Sequence, residues 1–167
     1  MKKFIPFFLI AFFSLFIISC NNDDNNYIDN DTIAEVYEFR NENFTLKDGF
    51  YTITKTFNNP LFNGDMVLIF KQDGIINGNQ IWVPLPKSYY TSDGYLEYTF
   101  DFTNNDIQIY ADADFSLTNT PYIKGQTFRI LIVPAILGRS ANSTVDLTDY
   151  NSVIKYYNIN DKNIKKL

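Results

Sequence analysis

From Ile33 onward, apolar and polar residues alternate in short runs, and most runs are closed by glycine, asparagine or aspartate. A period of two places successive side chains on opposite faces, the pattern of half-buried antiparallel strands joined by tight turns. The alternation predicts strands over 34–40, 50–57, 66–71, 80–85, 95–103, 106–115 and 127–134. Residue pairs that tolerate positive φ mark the turns: Asp48-Gly49, Asn63-Gly64, Asp73-Gly74, Asn77-Gly78, Asp93-Gly94 and Lys124-Gly125. In the segment 106–115 the odd positions are apolar and the even ones polar or amphipathic, so one face packs and the other meets water. In 127–134, Phe128, Ile130 and Ile132 line one face and Arg129, Leu131 and Val133 the other, which predicts a central strand covered on both sides. The period changes at Val145. Asp146 is the expected N-cap of one amphipathic helix over about 146–157, with Leu147, Tyr150, Ile154 and Tyr157 on its packed face. The predicted fold is mainly β: an antiparallel β-sandwich of about seven strands with one short C-terminal helix.

Composition reinforces this reading, since aromatics make up 17% of the chain, with 12 Tyr and 16 Phe, and such side chains suit a pleated surface. The absence of histidine and the single cysteine narrow the chemistry further. They exclude a Ser-His-Asp or Cys-His nucleophile, a histidine metal site, a cysteine cluster and an internal disulfide. The chain carries 14 basic and 19 acidic residues, a net charge of −5, so nucleic acid is not an expected partner.

The first residues read as a targeting segment. Lys2 and Lys3 form a short basic region, and Phe4 to Ile18 is an apolar run too short to span a bilayer comfortably. The run ends in Ile17-Ile18-Ser19-Cys20, which resembles the bacterial lipobox. The expectation is a signal peptide over 1–19, lipidation of Cys20 and attachment to a membrane through acyl chains such as palmitate. Residues 20–32, with Asn21-Asn22-Asp23-Asp24-Asn25-Asn26, read as the lipidated cysteine and a disordered polar tether. The domain proper is expected over 33–158, with a frayed tail over 159–167. The acidic pair resembles export signals of Bacteroidota lipoproteins, which implies a lipid-anchored protein of the outer membrane, on its surface or its periplasmic face; the bland alternative is a solvated linker and nothing more.

Two groups of residues are candidate ligand sites. Asp112 and Asp114, two apart on one predicted strand, present carboxylates to one face, and with Asp106 or Asp101 nearby suit calcium, a hard cation that takes oxygen ligands. The bland alternative is a solvated sheet face guarded by charge. Trp82, Tyr89, Tyr90 and Tyr95 gather around Pro84, Pro86 and the Asp93-Gly94 turn, and exposed rings on a β-sandwich stack on sugars. Their bland alternative is core or rim packing. No spacing singles out a pair of carboxylates for glycoside hydrolysis, so no catalytic residue and no enzymatic activity are expected.

The stretches Met66–Phe70, Ile76–Pro86, Gly94–Thr103 and Gln126–Pro134, with the helix from Val145, resemble a family of small flavobacterial lipoproteins of unknown function. The resemblance covers roughly 50–159. Relatives are sometimes labelled dihydrolipoamide dehydrogenase. This chain lacks the glycine-rich dinucleotide turn and the redox cysteine pair of such an enzyme. What the resemblance implies is a β-rich lipoprotein, not an activity. No cofactor is expected beyond the covalent lipid. The leading functional expectation is a non-enzymatic, membrane-anchored structural or interaction module of the cell envelope with an envelope partner; the alternative is a surface lipoprotein that captures glycan or calcium.

Overall fold

The computed structural model describes residues 34–134, 145–162 and 164–165. The expected signal peptide, Cys20 and the tether lie outside these residues. Among the described residues nine strands form two antiparallel sheets: β1 Glu35–Glu42, β2 Thr45–Lys47, β3 Phe50–Thr56, β4 Met66–Ile76, β5 Asn79–Pro84, β6 Lys87–Tyr90, β7 Tyr95–Phe102, β8 Asp106–Ala113 and β9 Gln126–Val133. One sheet has the order β1-β9-β4-β5 and the other β2-β3-β8-β7-β6. A 3₁₀ turn, Pro121–Ile123, precedes β9, and the helix α1 is Tyr150–Tyr156.

The inner faces of the two sheets make the main core. Phe39, Val67, Ile69, Phe128, Ile130 and Ile132 come from the four-stranded sheet, and Ile53, Leu96, Tyr98, Ile107, Ile109 and Ala111 from the five-stranded one. Each set repeats at every second position, so the alternation in the sequence is the alternation of core and outer face. As predicted, β9 is central, paired with β1 on one side and β4 on the other. Its second face is buried too, because Leu131 packs with Val36, Phe70, Tyr150, Val153 and Ile159 in a smaller core under α1.

Four expectations need correction. Asp73-Gly74 does not end a strand: β4 runs on to Ile76, and the register shift between Gln72 and Gly74 absorbs the extra residue as a bulge, a place where glycine is common. The turn comes at Asn77-Gly78, both at positive φ (51° and 80°), as a two-residue hairpin requires. The short strands β2 and β6 were not predicted; both are edge strands, too brief to show a period. The helix begins at Tyr150 with Asp149 as N-cap, its side chain accepting from the Asn151 amide. Asp146 instead closes the preceding turn by accepting from the Thr148 amide and hydroxyl at 2.9 and 2.6 Å. Val153, absent from the expected helical face, is fully buried in the smaller core, against which Leu147, Ile154 and Tyr157 pack.

The expected fraying from residue 159 also gives way to contacts. Ile159 is buried, and the Lys165 amide donates to the Val36 carbonyl at 2.9 Å, forming a parallel bridge opposite Tyr37. The Lys165 ammonium reaches Glu35. The segment thereby covers part of the otherwise open β1 edge.

Candidate functional site

The two outer faces of the sandwich are built differently. On the four-stranded sheet the outer face is roofed by α1 and the segment after it. Beneath the roof lies Arg129, whose Nε donates to Glu38 Oε2 at 2.6 Å and whose Nη1 donates to the Tyr150 hydroxyl at 2.6 Å. Its guanidinium also stacks 4.3 Å from the Trp82 ring centroid and stands 3.6 Å from Asp161. Arg40 bonds Glu38 from the solvent side. Burial raises the Glu38 pKa, but the hydrogen bonds and charges of Arg129 and Arg40 outweigh it and hold the carboxyl below its ordinary value. This buried cluster completes the packing of the roof.

The predicted aromatic cluster is therefore not one surface. Trp82 lies under the roof against Tyr150, their ring centroids 5.8 Å apart. Tyr89 points between the sheets, its ring edge-on to Tyr98 at 5.9 Å and its hydroxyl donating to Asp73 at 2.8 Å. Tyr90 and Tyr95 pair across β6 and β7 on the outer face of the five-stranded sheet, in edge contact at 5.7 Å. The separation follows from two facts: β5 and β6 belong to different sheets, and adjacent residues 89 and 90 must face opposite ways.

Asp112 and Asp114 separate as well. β8 ends at Ala113, and the Asp114 carboxylate accepts from the Tyr95 amide at 2.8 Å. Gly94 makes room for it, since a Cβ there would stand 2.1 Å from Asp114 Oδ1. Asp112 stays exposed on the outer face, where Oδ1 accepts from the Ala113 amide. Asp101 accepts from Tyr110 at 2.9 Å, and Asp106 from Thr103. Among the described residues no three acidic or cysteine side chains converge as a metal would need.

The outer face of the five-stranded sheet carries features the sequence reading missed. A groove of about 380 Å³ is lined by Phe50, Glu97, Thr99, Tyr110 and Asp112. Phe50 is 59% exposed and stands edge-on to Tyr110 at 6.4 Å. Glu97 and Asp112 are direct partners across the β7–β8 pair, as are Thr99 and Tyr110. Among the described residues neither Glu97 nor Asp112 forms an ion pair; Glu97 accepts from the Ser88 hydroxyl at 3.2 Å, and Ser88 bonds the Tyr95 hydroxyl at 3.0 Å. Burial, and then the bond to Asp101, push the Tyr110 hydroxyl above its ordinary pKa. The signal in the sequence was the amphipathic even positions of 106–115, where Tyr110 and Asp112 occur together. Phe50 gave no such signal, because a Phe opening a strand reads as core.

No protein-family pattern, curated protein or solved structure matches the chain.

Proposed function

We propose that the chain is a non-enzymatic binding module, held to the cell envelope by a lipid on Cys20, whose working surface is the outer face of the five-stranded sheet. The observation that carries this reading is the asymmetry of the sandwich: one outer face is closed by its own chain, while the other carries the Phe50–Tyr110 groove and the Tyr90–Tyr95 pair. Exposed rings among hydroxyl and carboxyl groups suit recognition of a ligand. The lipobox-like Ile17-Ile18-Ser19-Cys20 and the polar stretch after it support attachment through Cys20.

Photo-cross-linking in cells that make the full chain tests the face. A photoreactive residue at Tyr90 or Phe50 is expected to give discrete adducts, and one at Asn158, beyond α1, is not. Equal adducts at all three positions, or none, would count against a dedicated face. The anchor is tested by metabolic labelling with an acyl-chain analogue; Cys20→Ala must abolish the label, and persistence of label would refute lipidation there.

A further inference from the structure

The groove on the five-stranded sheet has a chemistry of its own, and we infer that it takes a basic side chain, lysine or arginine, from an extended segment of a partner polypeptide. The inference rests on the binding-face reading above and names its ligand class.

Glu97 and Asp112 face each other directly across neighbouring strands. Like charges so placed destabilise a sheet, and among the described residues neither carboxylate has a cation within ion-pair distance; Lys47 stands at the far end of the same row, on β2. A neutral ligand would leave that repulsion in place; a cation removes it. The walls of the same groove are Phe50 and Tyr110, whose ring faces carry the negative side of the aromatic quadrupole and attract an ammonium or guanidinium group. Thr99 adds a hydroxyl oxygen beside the carboxylates. Rings and carboxylates thus favour the same ligand charge, and the chain's net charge of −5 favours basic partners at longer range.

The shape indicates a polypeptide rather than a lone small cation. The row of outward residues runs from Lys47 and Phe50 through Asp112 and Glu97 to Ser88, across all five strands. Five strands span about 19 Å between the outer two, which an extended segment of about six residues would cross. Tyr90 and Tyr95 lie alongside that row and offer apolar contact to the flanking residues of such a segment.

The test is binding of a capped tetralysine peptide by the full chain in non-ionic detergent, beside a neutral β-glucan, at low and physiological salt. The double variant Glu97→Gln/Asp112→Asn is expected to weaken peptide binding about tenfold, and Phe50→Ala about threefold. The variant Asp146→Asn/Asp149→Asn removes the same charge near α1, on the other side of the sandwich, and keeps side chains able to cap. It is expected to change binding less than about twofold, the screened effect of remote charge. If both double variants weaken binding equally, the peptide is reading net charge and the inference is wrong. If the β-glucan binds, loses affinity in Phe50→Ala and ignores Glu97→Gln/Asp112→Asn, the face binds saccharide: the inference fails while the binding-face reading stands. If neither probe binds and cross-links from Tyr90 are also absent, both fail.

Discussion

Arg129 and Glu97 occupy equivalent stations, each on the outward side of a sheet and each facing a charged residue across a strand pair. Arg129 faces Glu38 on β1, an opposite charge, and Glu97 faces Asp112 on β8, a like one. The first pair is sealed under α1 with side chains 9% and 3% exposed; the second borders an open groove. A charge can be enclosed only where a partner and hydrogen bonds offset its desolvation, whereas an unmatched pair must keep access to water or to a ligand. The charge pattern therefore separates the face that the fold uses from the face that it leaves available.

The strongest way to break this contrast is to remove the enclosed cation. Arg129→Ala leaves Glu38 with only the solvent-side Arg40 and leaves the Tyr150 hydroxyl without its donor. The expected loss is about 3–5 kcal/mol, read as a fall in Tm on the order of 10 °C or more. The double variant Arg129→Met/Glu38→Leu removes both charges and is expected to recover most of that loss. If Arg129→Ala unfolds no more easily than the native chain, the roof is not held by this cluster.

Alkaline pH probes the buried hydroxyls between the sheets and under the roof. Burial first, and then Asp73, push the Tyr89 hydroxyl well above its ordinary pKa; burial first, and then Tyr122, do the same for Tyr98. Tyr150 is pushed up to about 12 by burial, against the opposing charge of Arg129. Above about pH 10 these groups keep their protons folded and lose them unfolded, so stability falls as pH rises, by about 1.4 kcal/mol per pH unit for each. Lys71 acts in the opposite sense. Burial lowers its pKa against the pull of Asp73, so the folded state holds less of its proton and stability gains as pH climbs toward the unfolded value. Three tyrosines outweigh one lysine. The share of tyrosinate absorbance lost when each of the three is replaced by phenylalanine should therefore rise in a cooperative step that coincides with loss of near-ultraviolet dichroism; a gradual rise of that share without unfolding would show these hydroxyls to be accessible.

The same division explains what the sequence could reveal. Alternation located seven of the strands within a few residues, because a two-layer core imposes period two wherever one face is dry. It marked β9 as central, because Leu131 and Val133 are apolar on the second face as well. It failed where structure depends on non-local partners. β2 and β6 exist as edges added to longer strands, and Trp82 and Tyr90, eight residues apart, belong to different sheets. The spacing does not distinguish two aspartates three residues apart as N-cap, since Asp146 and Asp149 both precede apolar residues and both accept backbone amides. Asp149→Ala is expected to cost about 1 kcal/mol and to reduce helical dichroism, with Asp149→Asn nearly neutral. An equal helical loss from Asp146→Ala would restore the earlier start. Neither site candidate was legible as a surface, because a groove forms from residues 50, 97, 99, 110 and 112, which three strands bring together.

The smallest expected effect bears most directly on the comparison. Glu97→Gln removes one of two facing like charges without changing the shape of the side chain, so it should stabilise the free protein by a few tenths of a kcal/mol. Asp112→Asn should give a similar gain. The two should not add, since either change alone ends the repulsion. The gain should shrink as salt rises, because the pair borders solvent. Thermal melts of the three variants at low and high salt measure this. If Glu97→Gln instead costs more than about 1 kcal/mol, Glu97 is doing for its sheet what Glu38 does under the roof, through its bond from Ser88. The five-stranded face would then be part of the fold's own hydrogen-bonded framework. If the small, salt-sensitive gain is found, the fold tolerates a repulsion it could remove with one substitution, and the reason for keeping both carboxylates has to be sought in what the groove binds.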